Sequence, residues 1–304
     1  MQVGMIGLGR MGGNMVSRLL QHGHQVVAYD RSDEAVARSA SDGATGAGSL
    51  DELVQKLIDR PRVAWVMVPA GDPTSQTLRR LSELCAPGDI VIDGGNTNWQ
   101  EALKDAAVLE AAGLRYLDAG TSGGIWGLRN GYCLMVGGSR EAYELCEPIL
   151  RALAPEGGGL VHTGPQGSGH FVKMVHNGIE YALMQAYAEG FQIMQRSIAF
   201  PGMDMHAIAE AWREGSVVRS WLLDLIADGL AKDPELTGLE GYVEDTGEGR
   251  WTVAAAIDES VPAPTITLAL YERFRSREDN TFADRMLAMM RNQFGGHAVR
   301  TTRP

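Results

Sequence analysis

The sequence predicts an α/β fold: a doubly wound, mostly parallel sheet in the N-terminal half, followed by an all-helical C-terminal half. Three observations predict it. Residues 3–7 form a short apolar strand pattern that runs straight into Gly7-Leu8-Gly9-Arg10-Met11-Gly12, with a helical pattern over 15–20 behind it. Apolar strand candidates then alternate with helix candidates up to residue 163, as in a parallel sheet covered on both faces. After Gly169 the strand signals stop and the remaining periodic segments have helical spacing.

The first unit carries the most specific signal. A glycine-rich turn between a strand and a helix is weak by itself, but here a second strand, 25–29, ends at Asp30, 18 residues after Gly12. A dinucleotide-binding, Rossmann-type unit puts its ribose-binding carboxylate there. Gly7 allows the tight turn, Gly9 lets the backbone approach a pyrophosphate, and Gly12 lets helix pack on strand, while the helix N-terminus offers N–H groups to the phosphates. Leu8, Arg10, Met11 and Arg31 complete this set of candidate cofactor contacts. The competing reading is a glycine-rich turn with no ligand. Further parallel-strand candidates follow at 62–69, 89–93, 115–119, 132–137 and 160–163, separated by helical patterns such as 50–58, 74–84 and 101–112. Ligands gather at the carboxyl ends of such strands. The loops there are Val68-Pro69-Ala70-Gly71, Gly94-Gly95-Asn96-Thr97 and Gly120-Thr121-Ser122-Gly123-Gly124. Each alone reads as an ordinary turn. Together on one edge they describe a pocket, with Val68, Pro69, Ala70 and Asn96 as candidate cofactor contacts.

The turn 164–169 marks the change of character, with Ser168 as the N-cap of a long helix. The expected division is 1–166 for a dinucleotide-binding domain and 167–304 for an all-helical domain for substrate and oligomerisation. Helices are expected over 170–198, 204–214, 218–231, 251–258, 263–277 and 282–292, with 237–250 the most irregular stretch. On the first of these helices Lys173, His176, Asn177, Glu180 and Tyr181 fall at i, i+3, i+4, i+7 and i+8, one face of a cylinder otherwise covered by Phe171, Val172, Met174, Val175 and Ile179. A solvent-facing stripe is the bland reading. Against it, the same face runs on into Met184, Tyr187 and Phe191, and it pairs one Lys with one Glu two turns apart. That separation, about 10 Å along the axis, is too long for a direct ion pair and suits a base and an acid working on different ends of one small substrate.

Composition narrows the function classes. The chain has 304 residues, 44% hydrophobic and 21% charged, enough for two domains with ordinary cores. A formal net charge of −11 argues against nucleic-acid binding. Cys85, Cys133 and Cys146 have no metal-like spacing and fit a reducing, cytoplasmic setting. The apolar start is broken by Gly7, Gly9, Gly12 and Gly13 and has no cationic leader, so it does not read as a signal peptide. No apolar run reaches the ~18 residues of a membrane span.

With these residues in view, the chain resembles decarboxylating 6-phosphogluconate dehydrogenase in its short form, within the β-hydroxyacid dehydrogenases. Ser122-Gly123-Gly124 and Lys173 with Asn177 are similar to features of the wider superfamily. The run Lys173-x-x-His176-Asn177-Gly178-Ile179-Glu180-Tyr181 resembles the phosphogluconate branch. So do Gly94-Gly95-Asn96, Gly249-Arg250-Trp251-Thr252 and Arg291-x-x-Phe294-Gly295-Gly296-His297. The resemblance implies Lys173 as proton acceptor and Glu180 as proton donor. It implies Asn96, Ser122, Gly123, Gly124, His176, Asn177 and Tyr181 around the sugar acid, Arg273 on its phosphate, and Arg291 and His297 as tail residues that in the long form enter a neighbouring subunit's site. It also implies 6-phosphogluconate as substrate, ribulose 5-phosphate and CO2 as products of a pentose phosphate pathway step, and no metal. Two departures stand out: Thr246 occupies a position where the long form has lysine, and the duplicated helical half of the long form is absent.

The implied chemistry suits these residues. Oxidative decarboxylation of a 3-hydroxy acid needs a base at the hydroxyl, a hydride acceptor, and an acid for the carbon that loses CO2. To serve as base, Lys173 must deprotonate near neutral pH, well below the ordinary lysine value of ~10.4. Glu180 is the residue a non-decarboxylating enzyme would not need. For the cofactor, a 2′-phosphate ~4 Å from Asp30 would be opposed by up to ~4 kcal/mol at an effective dielectric of ~20, offset in part by Arg31. NAD is therefore expected, with NADP the weaker alternative; NADP-using long forms resemble this stretch with Asn in place of Asp30. The rival functions are a non-decarboxylating β-hydroxyacid dehydrogenase, of 3-hydroxyisobutyrate or tartronate semialdehyde type, and a dinucleotide-binding sensor without turnover. An apolar helical second half predicts a homo-oligomer, a dimer or a tetramer.

Overall fold

The computed structural model describes residues 1–295 and 298–300. Its strands are β1 (Gln2–Ile6), β2 (Gln25–Tyr29), β3 (Thr45–Gly46), β4 (Val63–Val66), β5 (Ile90–Asp93), β6 (Arg115–Ser122), β7 (Cys133–Gly138) and β8 (Leu160–Gly164). Helices α1 (Arg10–Gln21), α2 (Asp33–Ser41), α3 (Leu50–Lys56), α4 (Asp72–Leu84), α5 (Trp99–Ala111), α6 (Gly127–Asn130) and α7 (Arg140–Leu153) lie between them. The chain continues as α8 (Ser168–Gln195), α9 (Met205–Arg213), α10 (Trp221–Lys232), α11 (Glu248–Asp258), α12 (Pro264–Arg275) and α13 (Phe282–Gly295). No helix among the described residues is long and apolar enough to cross a membrane.

All eight strands form one sheet in the order β3-β2-β1-β4-β5-β6-β7-β8. The order reverses between β1 and β4, which opens a crevice at their carboxyl ends where the glycine-rich turn sits. Both faces of the sheet are buried, and the period of two sorts the side chains. Val3, Met5, Trp65, Ile90 and Ile92 enter one core, while Ile6, Ala64, Val66 and Val91 enter the other.

Two strand expectations need correction. Segments 132–137 and 160–163 do not extend the parallel set: β7 pairs antiparallel with β6, and β8 is parallel to β7, so both run against the other six. Residues 123–132 hold only a 3-10 turn and the four-residue α6, too little chain to cross the sheet and return in the same direction. The same pairing carries β6 through Ser122, opposite Cys133. Thr121 and Ser122 are therefore strand residues rather than loop. The short edge strand β3 was not foreseen, since two residues leave no period to read. Ser168 is the first residue of α8 and not its N-cap.

The described chain divides into two compact units, Met1–His176 and Asn177–Pro304. The first turns of α8 pack on the sheet through glycine. A Cβ at Gly169 would lie 2.4 Å from the Asp118 carbonyl oxygen and 2.5 Å from that of Met135. In the second unit a small core forms around Ala209, Leu223, Ala227 and Leu230, and another around Tyr181, Ala269 and Leu270.

Candidate active site

The crevice at the glycine-rich turn has the shape a dinucleotide requires. Gly7 has φ 92°, and a Cβ there would sit 2.4 Å from the Met67 carbonyl oxygen. A Cβ at Gly12 would lie 2.0 Å from the Gly7 carbonyl oxygen, whereas one at Gly9 would meet nothing within 4 Å. The turn is thus packed beneath and open above. Helix α1 starts after Gly9 with no side-chain cap hydrogen bond, leaving its N-terminus suited to an anion. Asp30 is half-buried; one of its oxygens accepts the Leu8 N–H at 2.7 Å and the other the Ser32 N–H at 2.8 Å. Two oxygens offer about four acceptor positions, so the carboxylate can still receive a ribose hydroxyl. Arg10 and Arg31 are exposed beside this crevice and Met11 is half-buried. Beyond β4, Val68 is half-buried and Pro69 and Ala70 are exposed, and the Thr74 hydroxyl fixes the turn by donating to the Pro69 carbonyl.

The first turns of α8 bring several more of the expected residues together. A Cβ on Gly120 would lie 2.5 Å from the Lys173 Cβ, so the stem of Lys173 lies directly on strand β6. Ser122 Oγ and His176 Nε2 are 3.4 Å apart. Gly123 and Gly124 follow with φ 135° and 51°, backbone shapes that only glycine adopts at ease. Asn96 is exposed in the segment after β5. Exposure along α8 does not follow side-chain polarity. Lys173, His176, Asn177 and Glu180 are half-buried, while Val172, Ile179 and Leu183 are 37%, 50% and 45% exposed. The half-burial of these polar side chains argues against the solvent-facing reading of the polar stripe.

In the second unit, Tyr181 is buried under the Arg273 guanidinium, 3.5 Å above its ring centroid, and its hydroxyl accepts the Thr246 N–H at 3.4 Å. Arg273 also donates to the Glu244 carbonyl. Thr246 is hydrogen-bonded to the buried Glu248. The irregular segment is held by Asp245, which accepts from Arg250 and from Arg277, each at 2.7 Å. Arg250, aided by Arg277, holds this carboxyl at about 2. Glycine again permits the contact: a Cβ at Gly178 would be 2.5 Å from Thr252 Cγ2, and one at Gly249 2.5 Å from Tyr181 Cε2. Arg291 is exposed near the end of α13, and His297 lies outside the described residues.

Comparison with known proteins bears on this geometry. A family model described as the NAD binding domain of 6-phosphogluconate dehydrogenase matches residues 2–164, and one described as the 6-phosphogluconate dehydrogenase C-terminal domain matches 169–302. The chain belongs to the 6-phosphogluconate dehydrogenase family. Among relatives in this family, the NAD(+)-dependent, decarboxylating 6-phosphogluconate dehydrogenase of Haloferax volcanii is 45% identical over 300 residues, covering 98% of each chain. A solved structure of Plasmodium falciparum 6-phosphogluconate dehydrogenase, studied in its apo form and with NADP+ or 6-phosphogluconate, aligns with a TM-score of 0.83 at 28% identity. It covers 99% of this chain and 66% of that longer one. A Mycobacterium tuberculosis 3-hydroxyisobutyrate dehydrogenase aligns over 90% of this chain and 93% of its own, with a TM-score of 0.73 at 23% identity, and shares the fold.

Sequence reasoning passed over three groups that this geometry makes prominent: Asp93, Asp118 and His170, all buried at the base of α8. The signal was available as an aspartate at the end of the apolar Ile90-Val91-Ile92 run and another within Tyr116-Leu117-Asp118-Ala119. A charge inside an apolar strand implies a buried partner.

Proposed function

We propose that this chain catalyses the oxidative decarboxylation of 6-phosphogluconate to ribulose 5-phosphate and CO2, with NAD as the acceptor. The observation that carries the reading is the half-buried polar face of α8, which carries Lys173, His176, Asn177 and Glu180 in succession. Residues 1–166 bind the dinucleotide and 167–304 form the substrate and oligomerisation domain. Bound NAD supplies the hydride acceptor. Gly7, Leu8, Gly9, Arg10, Met11 and Gly12 receive its pyrophosphate, Asp30 its ribose, and Val68, Pro69, Ala70 and Asn96 line its nicotinamide end.

Lys173 Nζ takes the proton of the substrate's 3-hydroxyl. As the ammonium it then donates a hydrogen bond to the resulting carbonyl oxygen, which draws electrons from the carboxylate carbon bond as CO2 leaves. Glu180, two turns on, protonates the carbon left behind. Ser122, Gly123, Gly124, His176 and Asn177 orient the sugar acid. Tyr181 joins them around the sugar acid and Arg273 holds its phosphate, with Arg291 and His297 as further substrate-binding residues from the tail of the chain. No step requires a metal. The 45% identity to a protein named as NAD(+)-dependent and decarboxylating supports both parts of this reading, and Glu180 weighs against the non-decarboxylating alternative. The three cysteines are free, which supports a reducing cytoplasmic setting. Exposed apolar side chains at Phe282, Met286, Met289 and Met290, one face of α13 by spacing, support a homo-oligomer.

The test is turnover of 6-phosphogluconate with NAD and separately with NADP, following reduced cofactor and CO2 together. Equal amounts of the two products, formed faster with NAD, are the expected result. Reduced cofactor without CO2 overturns it.

A further inference from the structure

At the base of α8 lies a buried charged cluster that the proposed chemistry does not use. Asp93, the last residue of β5, and His170, in the first turn of α8, have side chains 0% and 1% exposed, with Asp93 Oδ2 3.2 Å from His170 Nε2. The contact is an ion pair when His170 carries its second proton. Asp93 Oδ1 accepts the Gly95 N–H at 3.0 Å, and the Tyr116 hydroxyl donates to Oδ2 at 3.3 Å. On the adjacent strand Asp118, level with Asp93 in the parallel register, accepts the Gly167 and His170 N–H groups at 2.7 and 2.8 Å. The charge of Asp118 is thus met by the N-terminus of α8, and that of Asp93 by His170. Burial pushes the His170 imidazole down, but the Asp93 carboxylate, with Asp118 adding, brings it above the ordinary histidine value. Burial pushes Asp93 up, and the His170 charge with the Gly95 N–H brings it below the ordinary carboxylate value.

His170 is one turn ahead of Lys173 on the same face of α8, and Asp93 leads directly into Gly94-Gly95-Asn96. We infer that the Asp93–His170 pair is a positioning and charge-balancing device for Lys173. It joins the helix that carries the lysine to the segment that carries Asn96, and it presents the lysine with an imidazolium whose charge is cancelled by one carboxylate. This inference rests on the proposed role of Lys173 as base. Asp93 from β5 and Asp118 from β6 bear on His170, and Asp93 in turn bears on Tyr116 of β6 and Asp105 of α5.

The experiment is the pH profile of kcat/KM in H170Q, D93N and H170Q/D93N. Removing the imidazolium alone leaves the Asp93 charge unbalanced near Lys173. The acid limb should then move to higher pH by about one unit. Removing both charges should return the limb towards its wild-type place. The substrate's own phosphate titration is common to all the variants and cancels. An unmoved limb in H170Q, or a limb that stays displaced in the double variant, overturns the inference. A purely structural role would lower stability in both without this reversal. Circular dichroism and NADH binding report folding. Should H170Q not fold, D93N carries the test: with its carboxylate gone the buried imidazole is neutral, and a limb displaced in D93N overturns the inference. K173A separates the two readings. Retained turnover in K173A removes the base assignment itself, whereas an inactive K173A beside an unmoved H170Q limb removes only the role of the pair.

Discussion

At the scale of single residues the proposed chemistry rests on Lys173, Glu180 and Asp30. If Glu180 delivers the proton to the carbon left by CO2, E180Q should lower kcat by about 100-fold while changing the KM for 6-phosphogluconate little. A kcat within threefold of wild type would remove that role. Asp30 shows why the fold must be considered with the cofactor. D30N should relax the preference for NAD over NADP by about tenfold, the equivalent of ~1.4 kcal/mol. The variant also loses one of two carboxylate oxygens that hold the Leu8 and Ser32 N–H groups, which costs about 1–3 kcal/mol. A lower melting temperature together with a shifted cofactor ratio is therefore expected, and an unchanged ratio of kcat/KM values would refute the assignment.

At the scale of elements, the position of the α8 base depends on absent side chains. Gly120 on β6 and Gly169 on α8 remove the Cβ atoms that would otherwise hold helix and strand apart. G120A places a methyl 2.5 Å from the Lys173 Cβ and 2.7 Å from the Gly169 carbonyl oxygen. It should cost about 1–3 kcal/mol of stability and lower kcat at least tenfold, with NADH affinity retained because the glycine-rich turn is untouched. Thermal denaturation and NADH titration on one preparation check both parts. Gly120 and Gly169 read as ordinary turn glycines in the sequence. Their function is steric, and a steric need becomes visible only when the facing element is known.

At the scale of the whole molecule, the buried cluster links stability to pH. His170 has its folded value raised, so its contribution is fully present below the unfolded value of ~6.5 and is lost as pH rises through the folded one. Asp93 has its folded value lowered, so its contribution is present above ~3.9 and is lost as pH falls through the folded one. The pair thus contributes most between about pH 4 and 6.5. Relative to wild type, H170Q should lose least stability on the alkaline side, as measured by urea midpoints across pH; a constant difference at all pH values would contradict the pairing. Association belongs to the same scale. Light scattering should show a dimer or tetramer at micromolar concentration, and a monomer would leave the exposed Phe282, Met286, Met289 and Met290 face without a purpose.

Taken alone, the chain determined what depends on local pattern. The glycine-rich turn with Asp30 eighteen residues beyond Gly12, the alternation of strand and helix, and the spacing of Lys173 and Glu180 are all short-range properties, which periodicity and turn chemistry record directly. The carboxylate of Asp30 and the open space over Gly9 then stand where that pattern placed them. Tertiary structure decided the rest. The reversal of β7 and β8 follows from how little chain connects β6 to β7, and strand direction has no signature in an apolar run. The joining of Asp93, Asp118 and His170 into one cluster depends on two strands in register and a helix arriving from the far edge of the sheet. Contacts between residues that are remote in sequence are set by the packing of whole elements, and no residue's neighbours along the chain carry that information.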